Sequence, residues 1–360
     1  MDVLALAEEG TDDQDLIKCN KIETQPFNAA SVTTDAEEEK SEETVFHIAL
    51  NRISDIAPDN TAQSEVGLSV SEVFKQRLVN YRKKIGKLLN FPDQMDLRNP
   101  QLASEFASEI YRNMKAEEQR LHVAPTYLQE VQNPKEIKDT SRAFLVEWII
   151  DVHRKFRLVP ETLYVTVFLI DRFLSLKQIR KNQLHILGVA SLLISTKYEE
   201  IYPPELKDLL SVSENKFTRA EVLAMERDML LTLQFDITTP SAYRFLERFR
   251  KLCSAASDPK VFFLAQYIQE IALLDASLLA YNPSQIAAAA LILAVKCLKR
   301  SAAWNKEMEQ ATGYSEQQLA PIVEDVKGFV LEVNPKFLTT LRYKFSKQEY
   351  MEVANVVLKF

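Results

Sequence analysis

Glycine is scarce, six residues in a chain of 360. Hairpin turns and phosphate-cradling loops both rely on glycine, so the count argues against a β-sandwich and against a glycine-loop nucleotide fold. The three cysteines, Cys19, Cys253 and Cys297, lie far apart. Neither a disulfide framework nor a zinc ribbon can be read from them, and a reducing compartment fits. The four histidines, His47, His122, His153 and His185, have no metal-ligand spacing. Walker, Gly-x-Ser-x-Gly and His-Glu-x-x-His motifs are all missing. The first ten residues lack a basic n-region and a long apolar run, so they do not read as a signal peptide. The longest purely apolar run, Ile286 to Val295, is too short for a bilayer and reads as buried core. The expectation is a protein that works by binding, with no catalytic residue, no metal, no cofactor and no membrane partner.

What the chain does contain is ordinary globular material, 46% hydrophobic and 26% charged, enough for two domains of usual size. Charge is unevenly placed. Residues 1–60 hold 15 Asp/Glu against four Lys/Arg, whereas the whole chain is −7, which leaves the remainder about +4. A polar, acidic head such as Asp35 to Glu43 cannot bury enough apolar surface to offset chain entropy, so residues 1–95 are expected to be mostly disordered. Asp12-Asp-Gln-Asp15 falls in this head and reads as a solvated charge run rather than a metal motif.

From about residue 100 the pattern is helix after helix. Phe144, Leu145, Trp148, Ile149 and Val152 form a helical apolar stripe. Pro160 opens the next helix, where a missing N–H costs nothing. Leu184 to Ile194 is apolar almost all round, as in a helix packed on every side. Pro203-Pro204 breaks the chain ahead of a short helix, and Thr218-Arg-Ala-Glu221 is a capping box. The order then recurs. Leu192-Leu-Ile-Ser-Thr-Lys197 reappears 99 residues on as Leu291-Ile-Leu-Ala-Val-Lys296, and Ser315-Glu-Gln-Gln318 repeats the capping box 97 residues on. A period near 100 is too long for a solenoid and suits a duplicated all-α domain, each copy wrapped around one buried helix.

A few polar residues stand out. Asp171 sits inside an apolar helix and needs a partner, because an unpaired buried carboxylate is expensive. Arg142, beside the first apolar stripe, is the expected partner in a structural pair. Lys197 ends the central helix, where a cation suits the dipole. Glu226 interrupts the apolar stretch Met225 to Leu233. For both of these, simple surface exposure and a partner contact stay open on physical grounds. Glu199-Glu200 cannot face each other on a helix and read as a loop or cap.

At these residues the sequence resembles the cyclin family. Ser141-Arg-Ala-Phe-Leu-Val-Glu-Trp148 is similar to the cyclin-box signature. Lys197-Tyr-Glu-Glu-Ile-Tyr-Pro-Pro-Glu205 resembles the corresponding segment of A- and B-type cyclins, and Ile170-Asp-Arg-Phe-Leu174, Met225-Glu226 and Ala311-Thr-Gly-Tyr-Ser315 match as well. The likeness runs from about Ser104 through both repeats. Lys155-Phe-Arg-Leu158 and the register from Ser104-Glu-Phe106 to Pro125-Thr-Tyr-Leu128 look most like the mitotic B-type.

The resemblance implies two tandem five-helix cyclin boxes with a preceding N-terminal helix. On that reading residues 1–95 are the acidic tail, 96–237 the N-terminal helix and first box, and 238–360 the second box. It implies a regulatory, activating subunit of a cyclin-dependent serine/threonine protein kinase, acting at the G2/M transition, in nucleus and cytoplasm. Lys197 and Glu226 are then the polar anchors on the kinase, with apolar contact from Phe106, Ile110 and Tyr111, and Arg142 with Asp171 is the family's internal ion pair. A second site is implied for Arg-x-Leu peptides, at Ser141, Phe144, Leu145, Trp148, Asp151, Leu184 and His185. Ser141, Phe144 and His185 depart there from the family's Met, Ile and Gln. No destruction box or Lys-Glu-Asn box is present in the expected place: Arg52-Ile-Ser-Asp55 lacks the leucine, and Arg142–Leu145 and Arg227–Leu230 fall in helices. The competing reading is a double-box transcription factor on DNA, which predicts a basic, often zinc-bearing N-terminus; this head is acidic, and no direct nucleic-acid partner is expected.

Overall fold

The computed structural model describes residues 99–300 and 304–356, with isolated positions outside those stretches. From residue 78 on they belong to one compact unit, Leu78–Phe360. The expected acidic tail, with its Asp12–Asp15 run and Arg52–Asp55, lies almost entirely outside the described residues. Asp93 is an exception: it is helical and buried, and its two oxygens take the Arg248 guanidinium at 2.5 and 2.6 Å. Folded contacts therefore begin within the stretch read as tail.

All regular elements among the described residues are helical. Helix α1 (Ala107–Arg120) and a single turn α2 (Tyr127–Glu130) precede a first set of five: α3 (Asp139–Phe156), α4 (Pro160–Leu176), α5 (Leu184–Glu199), α6 (Leu206–Val212) and α7 (Arg219–Thr232). A second set follows: α8 (Ala242–Leu252), α9 (Pro259–Ala272), α10 (Pro283–Cys297), α11 (Lys306–Thr312) and α12 (Glu316–Glu332), then α13 (Thr339–Phe345). Proline stands at the start of α4, α9 and α10, where its fixed φ pre-forms the first turn. The two repeated capping boxes both form. Glu221 N donates to Thr218 Oγ1 at 3.3 Å and Thr218 N to Glu221 Oε2 at 2.7 Å; Gln318 and Ser315 exchange the same pair at 3.3 and 2.9 Å.

The two helices that are apolar all round are the axes of the two sets. Helix α5 is enclosed by α3, α4, α6 and α7, and α10 by α8, α9, α12 and α1. Every residue from Ile186 to Thr196 and from Ile286 to Val295 is buried. Gly188 explains how closely α3 approaches α5: a Cβ there would lie 2.7 Å from Leu145 Cδ1 and 3.5 Å from the Trp148 ring. Helix α13 crosses back over both sets, packing on α3 of the first and α9 of the second. It is fixed by a buried ion pair, Lys344 Nζ to both Glu270 oxygens at 2.6 and 2.7 Å.

Candidate docking surfaces

Lys197 lies in the last turn of α5 and Glu226 in the middle of α7. The family of contacts between these helices brings Nζ to 2.6 Å from Glu226 Oε1, with the lysine side chain half exposed and the glutamate 13% exposed. Apolar side chains rarely left in water accompany the pair in sequence: Tyr198 beside Lys197, then Ile201 and Tyr202, which are 86% and 91% exposed, and Leu231 and Phe235 at the end of α7. Gln234 and Phe235 both adopt left-handed backbone, with φ of 53° and 59°, an unusual conformation for so bulky a residue as phenylalanine. The loop that carries Ile201 and Tyr202 is pinned from below by Glu200. Its Oε1 accepts the Val159 N–H at 2.8 Å and the Thr162 hydroxyl at 2.6 Å, capping the start of α4.

The residues of the preceding helix divide. Ile110 is 48% exposed and Phe106 borders on exposed. Tyr111 instead turns inward, meeting the edges of Phe245 and Phe249 at 5.9 and 6.4 Å and donating its hydroxyl to Thr312 O at 3.1 Å. Burial pushes that hydroxyl well above its ordinary pKa. Together with Glu118, which accepts both N and Oγ of Ser284, Tyr111 holds α1 on the second set of helices.

A second surface lies on α3 and the start of α5. Leu145 and Leu184 are buried and form its floor. Trp148 meets His185 edge-on at 4.6 Å, and His185 meets Phe217 at 5.4 Å. His185 Nε2 is buried without a hydrogen-bond partner, and burial, together with nearby Lys216, holds its pKa below the usual value against the pull of Glu214. Phe144, 51% exposed, leans on Phe337 at 4.8 Å, and Thr340 donates to Glu147 at 3.3 Å, so residues leading into α13 form one wall. Half-burial alone would raise the Asp151 pKa, but Lys155 and Arg154, each at 2.9 Å, hold it low. Ser141, half-buried at the start of α3, accepts only a long 3.4 Å contact from Lys138 N.

Arg142 and Asp171 are both buried, each 1% exposed. The guanidinium donates twice to the carboxylate, at 2.7 and 2.6 Å, and once to Leu273 O at 2.8 Å, while Tyr127 OH adds a fourth bond to Asp171 at 2.8 Å. Sequence reading missed Tyr127 and Leu273 here, and Phe217 and Phe337 in the groove. Phe217 and Phe337 sit in loops or short turns, where no period marks a residue as facing inward. Ile201-Tyr202 carried a usable signal, two large apolar residues stranded between an acidic pair and Pro203-Pro204.

Residues 109–238 match the family model for the cyclin N-terminal domain, and residues 240–358 that for the cyclin C-terminal domain. The chain belongs to the cyclin family. It is 33% identical over 300 residues to a G2/mitotic-specific cyclin-B of Marthasterias glacialis, covering 83% of this chain and 74% of that one. It is 38% identical over 261 residues to cyclin-A1-4 of Oryza sativa subsp. japonica, covering 71% and 73%. A viral cyclin from herpesvirus saimiri shares the fold, with a TM-score of 0.55 and 24% identity over 63% of this chain and 99% of that one. Among the described residues no helix is long and apolar enough to cross a membrane.

Proposed function

We propose that this chain is the activating subunit of a cyclin-dependent serine/threonine protein kinase, that it performs no chemistry itself, and that it acts at the G2/M transition, in nucleus and cytoplasm. The observation that carries the reading is the Lys197–Glu226 pair, presented beside apolar residues that gain nothing from facing water. A pair with its lysine half exposed adds little to the stability of the free protein. Against a partner backbone it offers a donor and an acceptor at fixed spacing, which sets register while the aromatic and aliphatic surroundings exclude water. Ile201 and Tyr202 extend that face, and Phe106 and Ile110 supply the apolar contact from the preceding helix; Tyr111 contributes by holding α1 in place. A kinase gripped here has its regulatory helix and activation segment positioned for catalysis.

The groove of Phe144, Leu145, Trp148, Asp151, Leu184 and His185 is the docking site for Arg-x-Leu segments of substrates or inhibitors. Its acidic residue suits a peptide arginine, and its ring-lined floor suits the leucine. The cyclin-B names of several relatives support the G2/M assignment. The test is a titration of the purified full chain against purified mitotic cyclin-dependent kinase, with turnover of a histone-type substrate as readout. Activation of the kinase, with no phosphorylation by the chain alone, is the expected result; failure to bind or to activate any cyclin-dependent kinase overturns the reading.

A further inference from the structure

Where α1, the first set of helices and the second set meet, the packing leaves a half-open pocket of about 140 Å³. Its wall is mostly apolar, with Val167 and Phe168 from α4, Leu273 just beyond α9, and Leu279 and Ile286 from the start of the α10 region. Leu121 adds to it from the end of α1. Its apolar wall offers water too few partners to hold it firmly.

Most of the polar side chains that reach the wall, His122 and Thr239 apart, are already engaged with protein. Arg142 is bonded to Asp171 and to Leu273 O. Gln269 donates to Ala242 O at 3.1 Å and accepts from Tyr164 OH at 3.3 Å. Glu118 accepts from Ser284, Ser241 donates to Glu161, and Asp275 accepts from Ser277. A ligand with charges or several hydrogen-bonding groups would lose its water without gaining partners here. An uncharged flat molecule would trade water for apolar contact along the pocket wall.

We propose that this pocket is a ligand site for an uncharged aromatic molecule of one ring or two fused rings, and that such a molecule bridges α1 and the two helical sets. The site shares no residue with either docking surface, so it stands whether or not a kinase is the partner. Because three separately built elements contribute to the wall, a bound molecule opposes their separation and raises the stability of the whole unit by mass action.

Benzene and indole are the probes, titrated into the ¹³C-methyl-labelled full chain, with benzoate as the charged control. The expected result is saturation at one molecule per chain, shifts concentrated on the methyls of Val167, Leu279 and Ile286, and a higher unfolding midpoint at saturation. Benzoate should cause none of these. Ala272 lines the same pocket and is buried, so Ala272→Leu should fill it and weaken indole binding at least roughly tenfold. Should that variant fail to fold, Leu279→Trp, at a partly exposed position, should fill the pocket instead with the same loss. Absence of saturation, shifts centred elsewhere, equal binding of benzoate, or wild-type indole affinity in a folded filling variant would each overturn the proposal.

Discussion

Arg142 holds Asp171 with two parallel bonds, Nε to Oδ1 at 2.7 Å and Nη2 to Oδ2 at 2.6 Å, while its Nη1 donates to the Leu273 carbonyl just past α9. One guanidinium therefore joins α3 to α4 and the first box to the second. Removing the carboxylate strands a buried cation in a position that also serves the contact between boxes. Asp171→Ala should lower unfolding stability by about 3–5 kcal/mol, read by chemical denaturation. Parental stability in that variant would mean that the pair contributes nothing.

Lys197→Ala and Glu226→Ala should leave the helical spectrum of the free protein unchanged and its melting curve nearly so, since a pair with one half-exposed partner is worth little. Affinity for the kinase should fall at least roughly tenfold, each ~1.4 kcal/mol being a factor of ten. Dissociation rates by surface plasmon resonance provide the check, and wild-type rates in both variants would remove these two residues from the interface.

Trp148→Ala should separate docking from activation. Phosphorylation of Arg-x-Leu substrates should drop several-fold more than that of short peptides lacking the motif, measured with the same kinase preparation. Equal losses on both substrates would reduce Trp148 to a packing residue between Gly188 and His185.

His153 is buried, donates through Nε2 to Val159 O at 2.9 Å, and has its pKa depressed to about 3 by burial and by Lys344. The unfolded chain takes up this proton near pH 6.5 and the folded chain does not, so stability is full above about 6.5 and falls as the pH drops toward about 3. At pH 5 the loss is about 2 kcal/mol. His153→Gln should raise stability at pH 5 relative to pH 7 by about that amount compared with the parent, and an unchanged slope would contradict the assignment.

Glu161 acts in the opposite sense. Burial raises its pKa to about 7, with Glu199 and Glu247 adding to the rise and Ser241 and Arg244 opposing it. Its folded pKa lies above the unfolded value, so the stability it contributes is complete below about pH 4.5 and lost as pH climbs through about 7. Glu161→Gln, which keeps an acceptor for the Ser241 hydroxyl at the contact between boxes, should remove this contribution and leave stability rising from pH 5 to pH 8 through His153. The contributions of Glu161 and His153 oppose each other between about pH 4.5 and 6.5, and a single-variant pH series of unfolding midpoints checks both.

Much of this architecture is legible from local chemistry. Thr218 and Ser315 announce helix starts because a cap needs only its own neighbours three residues away, and Pro160 marks a first turn for a reason internal to proline. The buried axes α5 and α10 are readable because a helix enclosed on all sides has no polar face to disguise it. What escaped is set by distance in the chain. Nothing near Lys344 signals that its ammonium lies against Glu270, 74 residues away, since a basic residue on a short helix ordinarily faces water. Tyr111 looks like its exposed neighbour Ile110 in sequence, and only the position of Thr312 O decides that it turns inward. Spacing marks Phe144, Leu145 and Trp148 as one helical stripe, and only the resemblance to cyclins made it a groove, whereas the opposing wall at Phe337 depends on where a later segment comes to rest.

That later segment has a bearing on the order in which the molecule can be completed. A chain emerging from the ribosome presents α3 to α7 long before residues 337–345 exist. The first box can collapse around α5 at that stage, with its Lys197–Glu226 face finished, while Phe144 still lacks Phe337 and Glu147 still lacks Thr340. The gripping face and the peptide groove thus mature at different moments of synthesis. A premature stop codon between the two boxes and α13 would yield a product whose first surface is intact and whose second has only one side.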